Sequence, residues 1–324
     1  MAEHPPVPGH GMAVPAAGGE PWFESHTYRH EDFGIQRVLG LKEQRRASVS
    51  VVIPARNEER TIAAVVQVAD EVRRAGVVDE VVVMDSDSTD ATAQLARAAG
   101  ATVHATCDVR PDLGSMPGKG EALWKSMFVT SGDILVFVDA DLTLFGPHFV
   151  TGLVGAMLAA PGTLLAKGFY DRVLDLAGEP STEGGRVTEL VARPLLNLWW
   201  PDLAYVVQPL AGEWAVRRSF FEDVSVPAAY GVELSTLIDC YLGHGLEAIA
   251  QVDLGARAHK HQAVHDLGLM AAELLAVAQE RLAGDGQAPE SSRLLQFERD
   301  AAGSVGWRDR PVPLSERPPA RGIR

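Results

Sequence analysis

Short runs of β-branched residues alternate along this chain with longer stretches in which apolar positions recur every three to four residues. SVSVVIP (Ser48 to Pro54) and EVVVMD (Glu80 to Asp85) show the first pattern, and the Ala/Val-rich stretch from Glu58 to Ala75 between them shows the second. They predict strand, helix, strand. The rhythm continues with a helix over Asp90 to Ala99, a short strand ATVHA, a loop through Pro117, a helix from Gly120 to Thr130 and the strand DILVFVDAD ending at Asp141. Such alternation predicts an α/β fold, a doubly wound, Rossmann-like and mostly parallel sheet with its ligand at the carboxyl ends of the strands. Farther on, LLAKGFY and AGEWAVRR read as strands, while GGRVTELVARPLLNLWW and Val232 to Leu242 read as helices. After AIAQVDLG the pattern predicts a basic loop, ARAHKHQAVHD, and then a long helix from Leu267 to Leu282. The ends, residues 1–30 and 284–324, are rich in Pro and Gly and are expected to be flexible tails around two halves, 31–145 and 146–283.

Composition narrows the class. A chain of 324 residues, 46% of them hydrophobic, can bury a large core. Its formal net charge of -14 argues against nucleic-acid or anionic-membrane partners, which most of the surface would repel. Cys107 and Cys240 have neither disulfide-framework nor zinc-site spacing, so both are expected reduced and buried in a cytoplasmic protein. The opening MAEHPPVPGHG lacks the basic flank and apolar core of a signal peptide. Leu142 to Ala166 carries no Asp, Glu, Lys or Arg, but its prolines, glycines and threonines favour a buried loop, helix and strand over a membrane span.

Four segments carry chemistry. VVIPARNEE ends a strand at Pro54 and turns through Ala55, Arg56 and Asn57 to Glu58, which is placed either to hold a flat base or simply to favour a helix dipole. In MDSDSTDAT, Ser88 and Thr89 are able to cap the next helix, while capping leaves the acidic Asp85 at the strand end unexplained. In PGKGEALWKS, Lys119 stands between two glycines ahead of a helix, which would let a cation and free amides approach a phosphate; Walker spacing is absent. In FVDADLT an apolar strand ends in Asp139-Ala140-Asp141. Two carboxylates at i and i+2 do nothing for a strand and repel each other, so they read either as a surface turn or, better after a buried strand, as ligands of a divalent cation of the magnesium or manganese type.

Taken in order, VVIPARNEE, DSDSTDAT, GKGEALW and VDAD resemble the nucleotide-binding half of GT-A glycosyltransferases, with Asp139 to Asp141 as their D-x-D motif. GGRVTELVARPLL, QPLAGEWAVRR, YGVELSTLID and AIAQVDLGARAHKH narrow the resemblance to the actinobacterial glucosyl-3-phosphoglycerate synthase family, from about Ser48 to Leu282. The resemblance implies a retaining, metal-dependent transfer of glucose from UDP-glucose to 3-phosphoglycerate by a homodimer, with donor site in the first half and acceptor site in the second. It places Pro54, Ala55, Arg56, Glu58, Ser86, Lys119, Asp139, Ala140, Asp141 and Arg257 at the donor, and Asp141 with His259 on Mg2+ or Mn2+. It places Gly185, Arg186 and Thr188 at the acceptor's phosphate or carboxylate, and Asp141, Lys119 and Glu233 at the chemistry. The residues themselves agree for Arg186, a guanidinium at a glycine-rich helix start. Glu233 reads equally as a dipole-favoured carboxylate or a site residue, and Trp199 and Trp200 as packing or interface residues. Mannosyl-3-phosphoglycerate synthases share such motifs. A sugar-phosphate nucleotidyltransferase or a non-catalytic nucleotide-sugar sensor would share the sheet.

Overall fold

The computed structural model describes residues 19–174, 185–259, 264–283, 292–299 and 305–323. Among these residues twelve strands run in chain order: β1 Thr27–Arg29, β2 Val49–Ala55, β3 Glu80–Asp85, β4 Thr102–Ala105, β5 Ile134–Phe137, β6 Leu165–Leu174, β7 Trp214–Arg217, β8 Val226–Pro227, β9 Ile249–His259, β10 Arg293–Arg299, β11 Val305–Pro311 and β12 Glu316–Arg317. The α-helices are α1 Gly19–His26, α2 Ile35–Arg45, α3 Ile62–Arg74, α4 Thr92–Ala99, α5 Lys119–Ser126, α6 Pro147–Ala159, α7 Arg193–Trp199, α8 Arg218–Phe221, α9 Val232–His244 and α10 Val264–Ala283.

Eight strands form one sheet in the order β1-β9-β6-β7-β5-β2-β3-β4. Every pairing is parallel except those of β7, which runs against β5 and β6. Period-two alternation sends Val51 and Ile53 of β2 to one face and Val52 to the other. The first face is covered by α2, α3, α4 and α6, and the second by α1, α5, α7, α9 and α10, so the sheet is buried on both sides as its apolar runs require. The uncharged stretch from Leu142 supplies buried α6 and the start of β6, and no helix among the described residues is long and apolar enough to cross a membrane.

Four expectations change. ARAH is strand: Ala256 to His259 pair with Asp171 to Leu174, and a continued ladder with β6 satisfies the backbone despite the basic composition. Residues 19–29 pack on the sheet, because Trp22 is buried with its indole N–H donating to the Ile249 carbonyl at 2.9 Å, and β1 joins the edge of β9. The other end packs as well. β10 and β11 form a hairpin, β12 pairs with β8, and the Arg317 guanidinium grips the buried Glu121 carboxylate in two bonds of 2.6 and 2.7 Å. Cys107 is exposed while Cys240 is buried, since Cys107 lies in a short helical turn after the edge strand β4. Of the two tryptophans, Trp200 is core and Trp199 is about half exposed.

Candidate active site

The carboxyl ends of β2, β3 and β5 open into a cavity of about 410 Å³ lined by Pro54, Ala55, Arg56, Glu58, Ser86, Gly118, Lys119, Asp139, Ala140, Asp141 and Glu233. Parallel strands leave their carboxyl ends free where helices fold back, and β2 and β3 are adjacent, so their two loops meet. The loops interlock. The Asn57 amide donates to Ser88 Oγ at 2.9 Å, the Thr89 amide to Asn57 Oδ1 at 2.9 Å and the Glu58 amide to Thr92 Oγ1 at 2.8 Å. Ser88 and Thr89 therefore clasp the neighbouring loop and do not cap α4; Asp90 accepts the Thr92 amide at 3.0 Å. Asn57 and Asp87 adopt left-handed φ of 56° and 57°, a conformation that Asn and Asp tolerate best. Asp85 is buried beside the cavity without lining it, and its Oδ1 has no hydrogen-bond partner.

At the centre is a salt-bridged triad. The Lys119 ammonium lies 2.5 Å from Asp139 Oδ1 and 2.7 Å from Glu233 Oε1. Burial opposes the charge on Lys119, but the two carboxylates outweigh it and hold the group above the ordinary lysine range, so it stays an ammonium. Glu233 is in the first turn of α9, buried, and in the triad, so both of its readings describe the same position.

The glycines around Lys119 have another use than the one expected. The amides of Gly120 and Glu121 are taken by the carbonyls of Ala229 and Ala228, at 3.1 and 2.8 Å, and are not open to a phosphate. A Cβ on Gly120 would lie 1.8 Å from the Pro227 carbonyl oxygen, so the close approach that seats α5 on the β8 segment requires glycine. Gly212 meets a similar demand: a Cβ there would lie 2.1 Å from Asp139 Oδ2.

Asp139 and Asp141 offer the hard oxygen donors that a divalent cation takes, and an ammonium already rests on one of them, so these residues fit such an ion. Among the described residues no group of three His, Cys, Asp or Glu side chains completes a coordination set. His259 and Arg257 close β9, but their side chains fall outside the described residues. Gly185, Arg186 and Thr188 do not line the cavity. Arg186 is exposed and Thr188 buried at the start of a π-turn, Thr188–Ala192, continuous with α7. Gly184 lies outside the described residues, and the Gly185 carbonyl accepts the Glu189 amide at 2.9 Å.

Five lining residues went unmarked in the sequence: Leu210, Gly212, Tyr230, Met270 and Leu274. The last two are four apart on α10 and follow the same stripe as its core positions. Glu273 on that helix accepts the Tyr230 amide at 2.9 Å; burial pushes its carboxyl up to about 7, against the lowering effects of that amide and of Arg310.

Residues 50–181 match glycosyl transferase family 2. The chain is 41% identical over 307 residues to a glucosyl-3-phosphoglycerate synthase of Mycolicibacterium smegmatis, covering 94% of this chain and 99% of the relative. The crystal structure of the Mycobacterium tuberculosis glucosyl-3-phosphoglycerate synthase with Mn2+, UDP and phosphoglyceric acid superposes with a TM-score of 0.80 at 41% identity, covering 90% of this chain and 96% of that one. That of the mannosyl-3-phosphoglycerate synthase from Rubrobacter xylanophilus gives 0.86 at 33% identity, covering 96% and 99%. With its GT-A type sheet, its D-x-D segment in the cavity and this near full-length similarity, the chain belongs to the glucosyl-3-phosphoglycerate synthase family of glycosyltransferases.

Proposed function

We propose that this chain transfers glucose from UDP-glucose to 3-phosphoglycerate with retention at the anomeric carbon, releasing UDP. The observation that carries the proposal is the Lys119 ammonium, held between Asp139 and Glu233 in a cavity whose other wall is the Pro54 to Glu58 and Ser86 loop pair. Its relatives' complexes contain Mn2+ with UDP-glucose and phosphoglyceric acid, or Mg2+ with UDP. In this reading Pro54, Ala55, Arg56, Glu58 and Ser86 take the uridine, and Asp139, Ala140 and Asp141 face ribose and diphosphate, with Arg257 also at the donor. Asp141 and His259 would hold the cation, which when bound neutralises the diphosphate leaving group.

Lys119 adds a fixed positive charge where negative charge grows on the leaving phosphate. Because its pKa is held high, it acts as a charge and not as a proton donor. Glu233 keeps Lys119 aimed and orients the sugar or the acceptor hydroxyl, which attacks from the face that the leaving group vacates. Gly185, Arg186 and Thr188 hold the anionic acceptor. The π-turn Thr188–Ala192 lies near α10, whose Met270 and Leu274 wall the cavity.

The test is release of UDP, and not pyrophosphate, from UDP-glucose on adding 3-phosphoglycerate with Mg2+ or Mn2+. No turnover with that pair would refute the reading. The mannosyl synthase shares the backbone, so GDP-mannose and GDP-glucose belong in the same panel as rival donors. A cytoplasmic homodimer completes the proposal. The dimer, though not the location, is supported by one face of the β10–β11 hairpin, where Leu295, Phe297, Val305 and Trp307 are exposed together, and light scattering reads the mass.

A further inference from the structure

Lys167 sits on β6 and is 1% exposed, in a position where strand stability has no use for a lysine, since burying an ammonium is costly. Its Nζ donates to the Ala211 carbonyl at 2.8 Å and stands 5.4 Å from the centroid of the Trp214 ring, its cross-strand neighbour on β7. The next residue, Gly168, donates its amide to the Glu213 carbonyl at 2.9 Å. Two successive residues of β6 thus grip both ends of Ala211-Gly212-Glu213. Between those ends lies Gly212, whose missing side chain leaves the space that the Asp139 carboxylate fills. The turn is the wall on which Asp139 rests while its Oδ1 meets Lys119.

We infer that Lys167 is a positioning residue of the transfer site, holding the Ala211–Gly212 turn against Asp139 so that this carboxylate keeps one orientation toward the donor diphosphate and its cation. The inference rests on the function proposed above. Burial pulls the Lys167 ammonium down to about 7; Glu233, Glu213 and Asp139 act to raise it, and Lys119 acts to lower it. Charged or neutral, the nitrogen keeps an N–H for Ala211, so the grip outlasts deprotonation.

A double-mutant cycle separates positioning from general support of the fold. Affinity for UDP in the presence of Mn2+ would be measured calorimetrically for the unaltered chain, Lys167→Met, Asp139→Asn and the double variant. Methionine keeps the unbranched bulk and removes the donor. Lys167→Met should weaken binding on the order of tenfold when Asp139 is present and less than about twofold when it is not, because its effect passes through that carboxylate. Equal losses in both backgrounds, or no loss in either, would overturn the inference. Gly212→Ala pushes on the carboxylate without touching the buried amine, so it should reproduce both the loss and its dependence on Asp139, whether or not Lys167→Met folds. Full affinity in that variant would also overturn it. An unaltered chain that binds Mn2+ and UDP yet transfers no glucose would refute the transferase reading instead, leaving the binding cycle to be scored as it stands.

Discussion

At the scale of single residues, the site is a set of charges gathered at the carboxyl ends of the strands. Asp141→Asn keeps the volume and removes an anionic ligand, so metal-dependent turnover should fall at least a hundredfold with an unchanged circular dichroism spectrum. Wild-type turnover in that variant, or in excess chelator, would contradict the role given to the D-x-D segment. Glu273 allows a pH test. Its folded pKa, about 7, lies above the ordinary carboxyl value, so the native state binds the extra proton between about 4.5 and 7, and stability drawn from that proton is lost as pH rises through 7. Glu273→Gln should therefore be more stable than the parent at pH 8, by on the order of 1–3 kcal/mol, and no more stable at pH 4. Urea denaturation at the two pH values measures it, and equal differences at both would show that the carboxyl is not the cause. The place of the aspartates in the cavity was legible in the sequence because an acidic pair ending an apolar strand does nothing for the strand itself. Lys167, Tyr230 and Gly212 were not, since their meaning comes from chain segments that only folding brings beside them.

At the scale of elements, the alternation of strand and helix was legible almost to the residue where one face of an element is uniformly apolar. β3 spans the expected Glu80–Asp85, and α9 begins at the expected Val232. The pattern gave no warning that β7 runs antiparallel, because a strand buried on both faces has the same composition in either direction. It also missed ARAH as strand, where a partner's ladder overrides polar side chains. The α5 start shows how an element carries the site: two glycines let the helix settle on the β8 segment with Lys119 aimed at Asp139. Gly120→Ala should therefore cost about 2–4 kcal/mol in urea denaturation and lower kcat, since the clash is with a backbone oxygen that cannot rotate away. Unchanged stability would mean that this contact yields without cost.

At the scale of the whole molecule, a net charge of -14 sets the problem of admitting an anionic acceptor, which the average field repels. Arg186 is proposed as the local exception. Arg186→Ala should raise the acceptor KM on the order of tenfold to several hundredfold while UDP affinity hardly moves, and Arg186→Lys should restore only part, lacking the planar fork. Loss of UDP affinity with an unchanged acceptor KM would move Arg186 to the donor site. The distance along the chain between Trp22 and Ile249, 227 residues, bears on how the molecule is made. A ribosome delivers α1 and β1 long before β9, the strand on which both must dock. The pairings among β2 to β5 draw on residues already emerged and are free to form first. The segment around Trp22 thus waits for its berth until β9 has emerged, and in that interval its apolar side chain is one for chaperones to shield.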